Sequence, residues 1–540
     1  MRTDARGLSA ALLLILLAPQ QVWAEGPMSA IDWLSQSVTT PAGARVSTPQ
    51  PPGHTGGPLP SSTPMPQARG DEPAVTKDAR PTEVMTSVLG APSPDGVGLL
   101  AAARTGLPRA LWGLSRTEDI ARKITQERTD TLPALQALLI TLLLAEADAP
   151  VDSGGRGILL LARIDKLLAM GALDQAAALA ELAGPATPEL FRRRFDIALL
   201  TGNEDAACAE MQSAPHLAPT LPARIFCLAR AGDWSAAALT LNTAQALGQV
   251  NPAEDVLLSR FLDAELADGA DPLPAPEVPT PLVWRMYEAL GEPLPTLGLP
   301  LAFSHAELRP QAGWKAQIEA AERLARVGAI TPNLLLGIYT ARQPAASGGV
   351  WDRVDLFQTF DNALAEGDPD ALAKALPAVW RAMVAAELEI PFAALYAERL
   401  MNSPLPEAEA TGIAFRIGLL SPHYERAAIK RKTALPAPDV QDAFLIGLAR
   451  GDITGLAPPD SMSRALAPAF LRPAITAEAQ TLLDEKRIGE ALLAAIDGVG
   501  RGVQGDPRGV AEGLSLLRKL GLEDVARRTA LELLLLERRG

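Results

Sequence analysis

The stretch Leu168-Ala-Met-Gly171-Ala-Leu-Asp-Gln-Ala-Ala177 decides the fold, because an apolar run ends in glycine and an alanine-rich run follows at once. Glycine is favoured just beyond a helix C-terminus, where the backbone turns left-handed, and a nearby Asp, Asn or Ser can cap the next helix. The pattern therefore predicts a stack of helical hairpins. It returns, after intervals of 31 and 30 residues and then more loosely, at Gly202, Gly232, Gly367, Gly451 and Gly521.

Composition also favours helices. Hydrophobic residues make up 48% of the chain but aromatic residues only 4%, so the apolar content is mostly Ala and Leu, which are strong helix formers. A small residue five positions after the glycine would let two helices pack closely, and alanine stands there at Ala176, Ala207, Ala237 and Ala526. The repeat is slightly shorter than the tetratricopeptide period. We expect an all-α, tetratricopeptide-like helical-hairpin solenoid over residues 96–540.

Two regions depart from a simple stack of helical hairpins. Proline-rich breaks within 271–300 would act either as a hinge between two stacks or as long loops between repeats. An apolar segment, 96–113, precedes the first strong helix, and we expect it to cover the exposed edge of the first repeat.

Residues 1–24 have the features of a secretory signal peptide. Arg2 and Arg6 precede an apolar run from Leu8 to Ala18, and small residues lead up to cleavage after Ala24. No later stretch is long and apolar enough to span a membrane, and no cysteine follows the cleavage site to carry a lipid. We therefore expect a periplasmic mature protein without stable membrane insertion.

A short motif, 25–38, and a linker, 39–95, separate the signal peptide from the helical body. A two-turn helix is not stable alone, so the apolar face of the motif needs a partner, either the body of this chain or another molecule. The linker is dominated by Pro, Ser, Thr and Gly, which predicts a disordered tether. The apolar residues expected to bind the partner are Ile31, Trp33, Leu34 and Val38.

The chain has two cysteines, Cys208 and Cys227, at similar distances from the predicted turn at 213–220. This spacing places their side chains side by side across a helical hairpin. In an oxidising compartment we expect a disulfide, and the alternative is two buried free thiols. Two cysteines and scattered histidines offer no metal site.

One glycine cluster spells a dinucleotide-binding fingerprint, Gly500-Arg-Gly502-Val-Gln-Gly505, with Glu523 beyond it. That motif requires a preceding strand, whereas an Ala/Leu helix precedes it here, so we predict a flexible inter-helix loop and no cofactor. No catalytic motif is present, so we expect no enzyme. The alternative is a peptidoglycan-associated enzyme or its regulator, although the Glu-Ser catalytic pair of such lysozyme-like domains is missing from the chain.

The formal charge of −14 predicts that the protein repels nucleic acid and anionic lipid. One local basic cluster departs from this balance. It is typical of a solvated helix face, and the alternative is a docking patch for an acidic partner. The cluster consists of Arg426, Lys430, Arg431 and Lys432.

The motif Ala30-Ile-Asp-Trp-Leu-Ser35, the Pro/Thr tract and the stretch 89–113 together resemble an uncharacterised exported family of marine and photosynthetic alphaproteobacteria, sometimes labelled antifreeze glycopeptide-like. This resemblance spans most of the chain and brings no established function. The segment Arg224–Ala237 is similar to periplasmic helical-repeat motility proteins, one of which binds the flagellar stator. We expect a non-enzymatic scaffold for protein partners in the cell envelope, the stator among them; the alternative is a motility accessory.

Overall fold

The computed structural model describes residues 93–184, 186–266, 271–434 and 438–536. The predicted signal peptide, the predicted binding motif with Ile31, Trp33, Leu34 and Val38, and the predicted linker up to residue 92 lie outside the described residues. Within these ranges the chain is helical and forms no strand, with one isolated bridge between Leu100 and Ala145. None of the described helices is both long and apolar enough to cross a membrane. The prediction of an all-α protein is confirmed.

Helices that follow one another along the chain mostly contact one another, as expected for hairpins. The first half contains α1 (Ala102–Thr105), α2 (Thr117–Gln126), α3 (Pro133–Leu144), α4 (Ile158–Ala169), α5 (Leu173–Leu182), α6 (Pro188–Thr201), α7 (Glu204–Ser213), α8 (Leu221–Arg230), α9 (Trp234–Ala246), α10 (Pro252–Leu262) and α11 (Pro281–Ala289). The second half contains α12 (Trp314–Arg326), α13 (Pro332–Tyr339), α14 (Val350–Glu366), α15 (Pro369–Ala385), α16 (Glu389–Asn402), α17 (Ala408–Leu419), α18 (Tyr424–Ala434), α19 (Val440–Ala449), α20 (Ser461–Leu471), α21 (Ala477–Asp484), α22 (Ile488–Val503), α23 (Pro507–Lys519) and α24 (Glu523–Leu535). Short 3₁₀ segments lie at Pro94–Gly96, Pro215–Leu217, Ala264–Leu266 and Leu301–Leu308.

One turn recurs between consecutive helices. Gly171 is left-handed, with φ of 73°, and the next amide, Ala172 N, donates to Leu167 O, five residues back, at 2.9 Å. This is the Schellman arrangement, which satisfies carbonyls left over at a helix end. All six glycines predicted from the repeat are left-handed helix ends, and Gly367 uses the simpler bond from its own amide. The long five-residue bond also occurs at glycines that the sequence pattern missed, Gly248, Gly291, Gly328 and Gly505.

Two non-glycine residues occupy the same turn position. Glu387 and Lys486 have φ of 56° and 57°, and the residue after each donates the same five-residue hydrogen bond. A side chain in this conformation costs roughly 1–2 kcal/mol, because its Cβ crowds the following carbonyl. Both turns therefore hold strain that glycine would avoid, and a search keyed on glycine does not find them.

Small residues allow the close helix packing that the repeat predicted. The four alanines five positions after the glycines are all buried: Ala176, Ala207, Ala237 and Ala526. The loop prediction for the Gly500–Gly505 cluster was wrong at its start, because α22 continues through Gly500 and Gly502. A Cβ on Gly502 would collide with Val510, and one on Gly513 would come within 2.6 Å of Val499. These glycines bring α22 and α23 together.

The two ends of the helical body meet. Helix α22 contacts α2 and α3, and α24 contacts α3. Trp112 packs against Gly489, where any Cβ would strike the indole ring, and the amide of Gly489 donates to Leu111 O at 2.8 Å. The segment 96–113 therefore does more than cover the first repeat, since it joins the first helices to the last.

Buried charge strengthens the same junction. A carboxylate oxygen of Glu532 on α24 accepts a hydrogen bond from Ala134 N, in the first turn of α3, at 2.9 Å. An acidic group suits the positive end of a helix dipole. Fully buried Glu490 on α22 lies 3.6 Å from Lys123 Nζ on α2. Each contact joins residues from opposite ends of the described chain.

A side lobe with a second core packs against this closed body. The lobe consists of helices α7 to α11, and its first and last helices both contact α6. These helices enclose a second hydrophobic core around Phe226 and Met286. The predicted disulfide between Cys208 and Cys227 is confirmed and lies in this core, with the two Cα atoms 5.1 Å apart. The proline-rich breaks of 271–300 flank α11, and Leu294 packs against both cores.

We expect the disulfide to stabilise the lobe. Replacing both cysteines, Cys208→Ser with Cys227→Ser, should lower the free energy of unfolding of the lobe by about 3 kcal/mol, because the bond closes a loop spanning 19 residues of sequence. Hydrogen exchange of the α7 and α8 amides measures the change. Reductant should produce the same loss in the unsubstituted chain and none in the double variant. Equal amide protection in both proteins under oxidising conditions would contradict the prediction.

Candidate functional site

Two adjoining cavities open where the ends of the body meet. The first has a volume of about 450 Å³ and the second about 750 Å³, and they share Leu132, Val503 and Gln504 as walls. Leu132 directly precedes α3, whereas Val503 ends α22. The cavities therefore depend on the contact between the two ends, and we call them together the junction groove.

The first cavity is lined by five separate parts of the chain. They are the α2–α3 loop with the start of α3, the 3₁₀ residue Leu301, the end of α12, the turn before α16 and the end of α22. Arg128 forms a two-bond fork with Asp130 at 3.0 and 2.7 Å, and this contact lowers the pKa of Asp130. Arg323 is held by Thr296 and by Glu307 at 2.7 Å.

Three other polar groups on this wall have unused bonding capacity within the described residues. Arg326 donates from Nε to Ala386 O at 2.7 Å, and its two terminal amino groups make no hydrogen bond there. Gln136 is only 3% exposed; its amide nitrogen donates to Thr129 O, while Oε1 is buried without a partner. The hydroxyl of Thr131 is likewise buried and unpaired. The wall thus offers donors and acceptors that a bound chain or ligand can satisfy.

Strained Glu387 also lines the first cavity. Strained backbone is found disproportionately at binding and catalytic sites, where the surrounding structure holds it in place. The neighbouring carbonyl of Ala386 accepts the hydrogen bond from Arg326, which fixes the turn against α12. The turn between α15 and α16 is therefore anchored at the cavity wall.

Most of the residues that line the second cavity are apolar, although polar atoms make up more than half of its exposed surface. Its floor includes the consecutive leucines Leu533–Leu536 at the end of α24, with Trp380 and Val384 on α15 and Met462 on α20. Polar residues Arg416, Gln441 and Asp460 are exposed and also line it. The carboxylate of Asp460 caps α20, where it accepts a hydrogen bond from Ser463 N at 2.7 Å. An apolar groove with a few polar groups at its edge is typical of sites that bind a helix or an extended segment.

The residues singled out from the sequence lie elsewhere. Cys208 and Cys227 form the disulfide inside the side lobe. The basic cluster is on α18, where Arg426 pairs with Glu398 at 2.9 Å and Arg431 pairs with Asp442 at 2.7 Å. Docking of an acidic partner on this cluster stays a prediction.

The other two members of the cluster differ from each other. Lys430 contacts the carbonyl of Met401, so it is the third member of the cluster with a partner inside the body. Lys432 is exposed. An acidic partner would therefore have to compete with existing contacts at three of the four positions.

Sequence reasoning missed the groove residues and one buried histidine. Ring nitrogen Nε2 of His305 lies 2.7 Å from Gly171 O, so this side chain packs against the first repeat turn, and burial lowers its pKa. Glu387 could have been found by aligning Ala386-Glu-Leu-Glu389 with the glycine turns. Among the described residues, no group of three or more His, Cys, Asp or Glu side chains is placed to hold a metal ion.

A titratable group lies beside the first cavity. Glu127, next to Arg128, is largely buried at the end of α2, and burial together with the charge of Asp497 raises its pKa to about 7. Lys166 and Lys123 oppose the rise. Between pH 4.5, its ordinary pKa, and pH 7, the folded chain therefore holds a proton that the unfolded chain releases.

Because the folded chain keeps this proton, the contribution of Glu127 to the free energy of unfolding should fall by at most about 3 kcal/mol as pH rises from 4.5 to 7. It should stay constant outside that window. Glu127→Gln should remove this part of the pH dependence. Denaturant unfolding measured from pH 4 to 8 tests it, and Glu118→Gln, an exposed position on the same helix, is the control. Identical pH profiles for the unsubstituted chain and Glu127→Gln would contradict the assignment.

Comparison with known proteins adds no identity to this picture. The chain matches no protein-family model, no curated protein and no solved structure. The fold and the groove are therefore the basis for assigning a function.

Proposed function

We propose that this protein is a non-enzymatic, exported scaffold that binds a segment of a cell-envelope protein in the junction groove. The observation that carries the proposal is the groove itself, which is assembled from distant parts of the chain. Leucines of α24 lie beside a wall on which Gln136 Oε1, Thr131 Oγ1 and the amino groups of Arg326 have no hydrogen-bond partner among the described residues. Such a surface suits a peptide segment better than a compact substrate.

The repeated turns support a tetratricopeptide-like solenoid as the finer description of the fold. In stacks of helical hairpins, each unit buries its apolar face only against its neighbours, and the concave surface of the stack commonly binds other proteins. Here the last helix also meets an early one, since α24 contacts α3. The junction groove lies at this meeting of the first and last helices, and its two cavities share Leu132, Val503 and Gln504.

The two halves of the groove suit different parts of a bound segment. The leucines at the end of α24, with Trp380, offer apolar area, which supplies most of the free energy of association. The amino groups of Arg326 can donate to main-chain carbonyls or to a carboxylate, and Gln136 Oε1 can accept a main-chain amide. Pairing buried Gln136 Oε1 removes the cost of leaving it unsatisfied.

An exported location is part of the proposal. The disulfide between Cys208 and Cys227 is consistent with an oxidising compartment, and residues 1–24 have the pattern of a secretory signal. The partner would then be an envelope protein. The resemblance of one hairpin to motility proteins makes stator components the first partners to test.

Affinity capture from envelope extracts of the source cells tests the groove. Met462→Glu places a charge in the apolar half, at the first turn of α20, where an acidic residue is compatible with the helix dipole. The matched control is Leu334→Glu, in the first turn of α13 and outside the groove. We expect Met462→Glu to reduce the captured partner at least tenfold and Leu334→Glu to leave it unchanged.

Circular dichroism on both variants establishes that they are folded. A partner captured equally by the unsubstituted chain and by folded Met462→Glu would show that the groove does not bind it. Release of muropeptides from peptidoglycan by the purified protein would overturn the non-enzymatic assignment.

A further inference from the structure

We propose that residues 29–38 of this chain bind in cis in the apolar half of the junction groove, where they compete with the external partner. Competition rests on the proposed function, whereas binding of the segment does not. The segment is the apolar motif ahead of the linker, and the second cavity is lined mostly by apolar residues, with no occupant among the described residues. The argument uses three properties that the two share.

The first property is apolar complementarity. The motif presents Ile31, Leu34 and Val38 at helical spacing with Trp33 beside them, and its two turns are too short to be stable without a surface to bind. The second cavity supplies leucines from α24 together with the indole of Trp380, in a volume of about 750 Å³. An amphipathic helix lying in an apolar groove is a recurring mode of segment recognition.

The second property is charge. From Glu25 to Val38 the sequence contains two acidic residues, Glu25 and Asp32, and no basic one. Arg416 and Asp460 are exposed and line the second cavity, so Arg416 offers the acidic motif one basic group to pair with. Opposite charges at the edge of an apolar groove favour docking in one orientation.

The third property is reach. Between Val38 and Ser93, where the described body begins, lie 54 residues. A flexible linker of this length has a root-mean-square span of about 40 Å. A compact body of this size has a radius of gyration of roughly 22 Å. The linker can therefore bring the motif to the groove wherever the groove lies relative to Ser93, at an effective concentration on the order of millimolar.

A fluorescein-labelled peptide of residues 25–38 is the probe, and its binding to the mature chain is followed by fluorescence anisotropy. A triple variant, Ile31→Ser with Trp33→Ala and Leu34→Ser, disables the tethered copy without touching the body. We expect the peptide to bind the triple variant at least tenfold more tightly than the unsubstituted chain, because the groove is then vacant. Adding Met462→Glu should weaken binding at least tenfold, and adding Leu334→Glu should not change it.

Any one of three results with the peptide would overturn the proposal. The peptide could bind neither protein, bind both with equal affinity, or bind regardless of Met462→Glu. A concentration-dependent dimer that the triple variant abolishes would place the segment on a second copy and would also overturn binding in cis.

The envelope-capture experiment separates this inference from the proposed function. If the segment occupies the groove, the triple variant should capture at least threefold more partner than the unsubstituted chain. Capture that depends on Met462 but not on the triple variant, together with no peptide binding, would reject the cis segment and leave the scaffold proposal standing. Peptide binding at the groove without any captured partner would support the cis segment and reject the scaffold proposal.

Discussion

Contact between the first and last helices is the constraint on which the junction groove depends. Trp112 packs on Gly489, and the carboxylate of Glu532 accepts the amide of Ala134 across 398 positions of sequence. Without these contacts Leu132 and Val503 would not face a common cavity. Closing so long a loop has an entropic cost that grows only slowly with its length, so buried apolar area and one charge-assisted hydrogen bond can offset it.

The recurring left-handed turn determines how the chain reaches that closure. Each Schellman turn reverses the helix direction within a few residues, and buried alanines after the turn set the distance between neighbours. The two turns that lack glycine stand at distinct places. Glu387 lines the groove, and the backbone of Lys486 lies against Gly113 at the closure. Strain is thus found at the groove and at the junction that builds it.

The parts of this structure that could be predicted are those encoded by residues close in sequence. The glycine turns and the disulfide between Cys208 and Cys227 depend on spacings of about one hairpin. The closure could not be predicted, because neither Trp112 nor Gly489 carries a local pattern that names its partner. The glycines of α22 were misread for a related reason: the cluster was compared with a local fingerprint and interpreted as a loop, whereas Gly502 packs against Val510, which leaves no space for a side chain. The groove could not be predicted for the same reason, since its first cavity alone is lined by five separate segments of the chain.

Closure is measured most directly as a distance between spin labels on cysteines introduced at exposed Leu114 and Asp484, since the native disulfide does not react with the label. Double electron–electron resonance should give one narrow, short distance in the otherwise unsubstituted chain. Gly489→Leu, which collides with Trp112, should lengthen and broaden the distribution, whereas Gly313→Ala, which meets no neighbour, should not. A long, broad distribution before any change at Gly489 would contradict the closed body and the groove built on it.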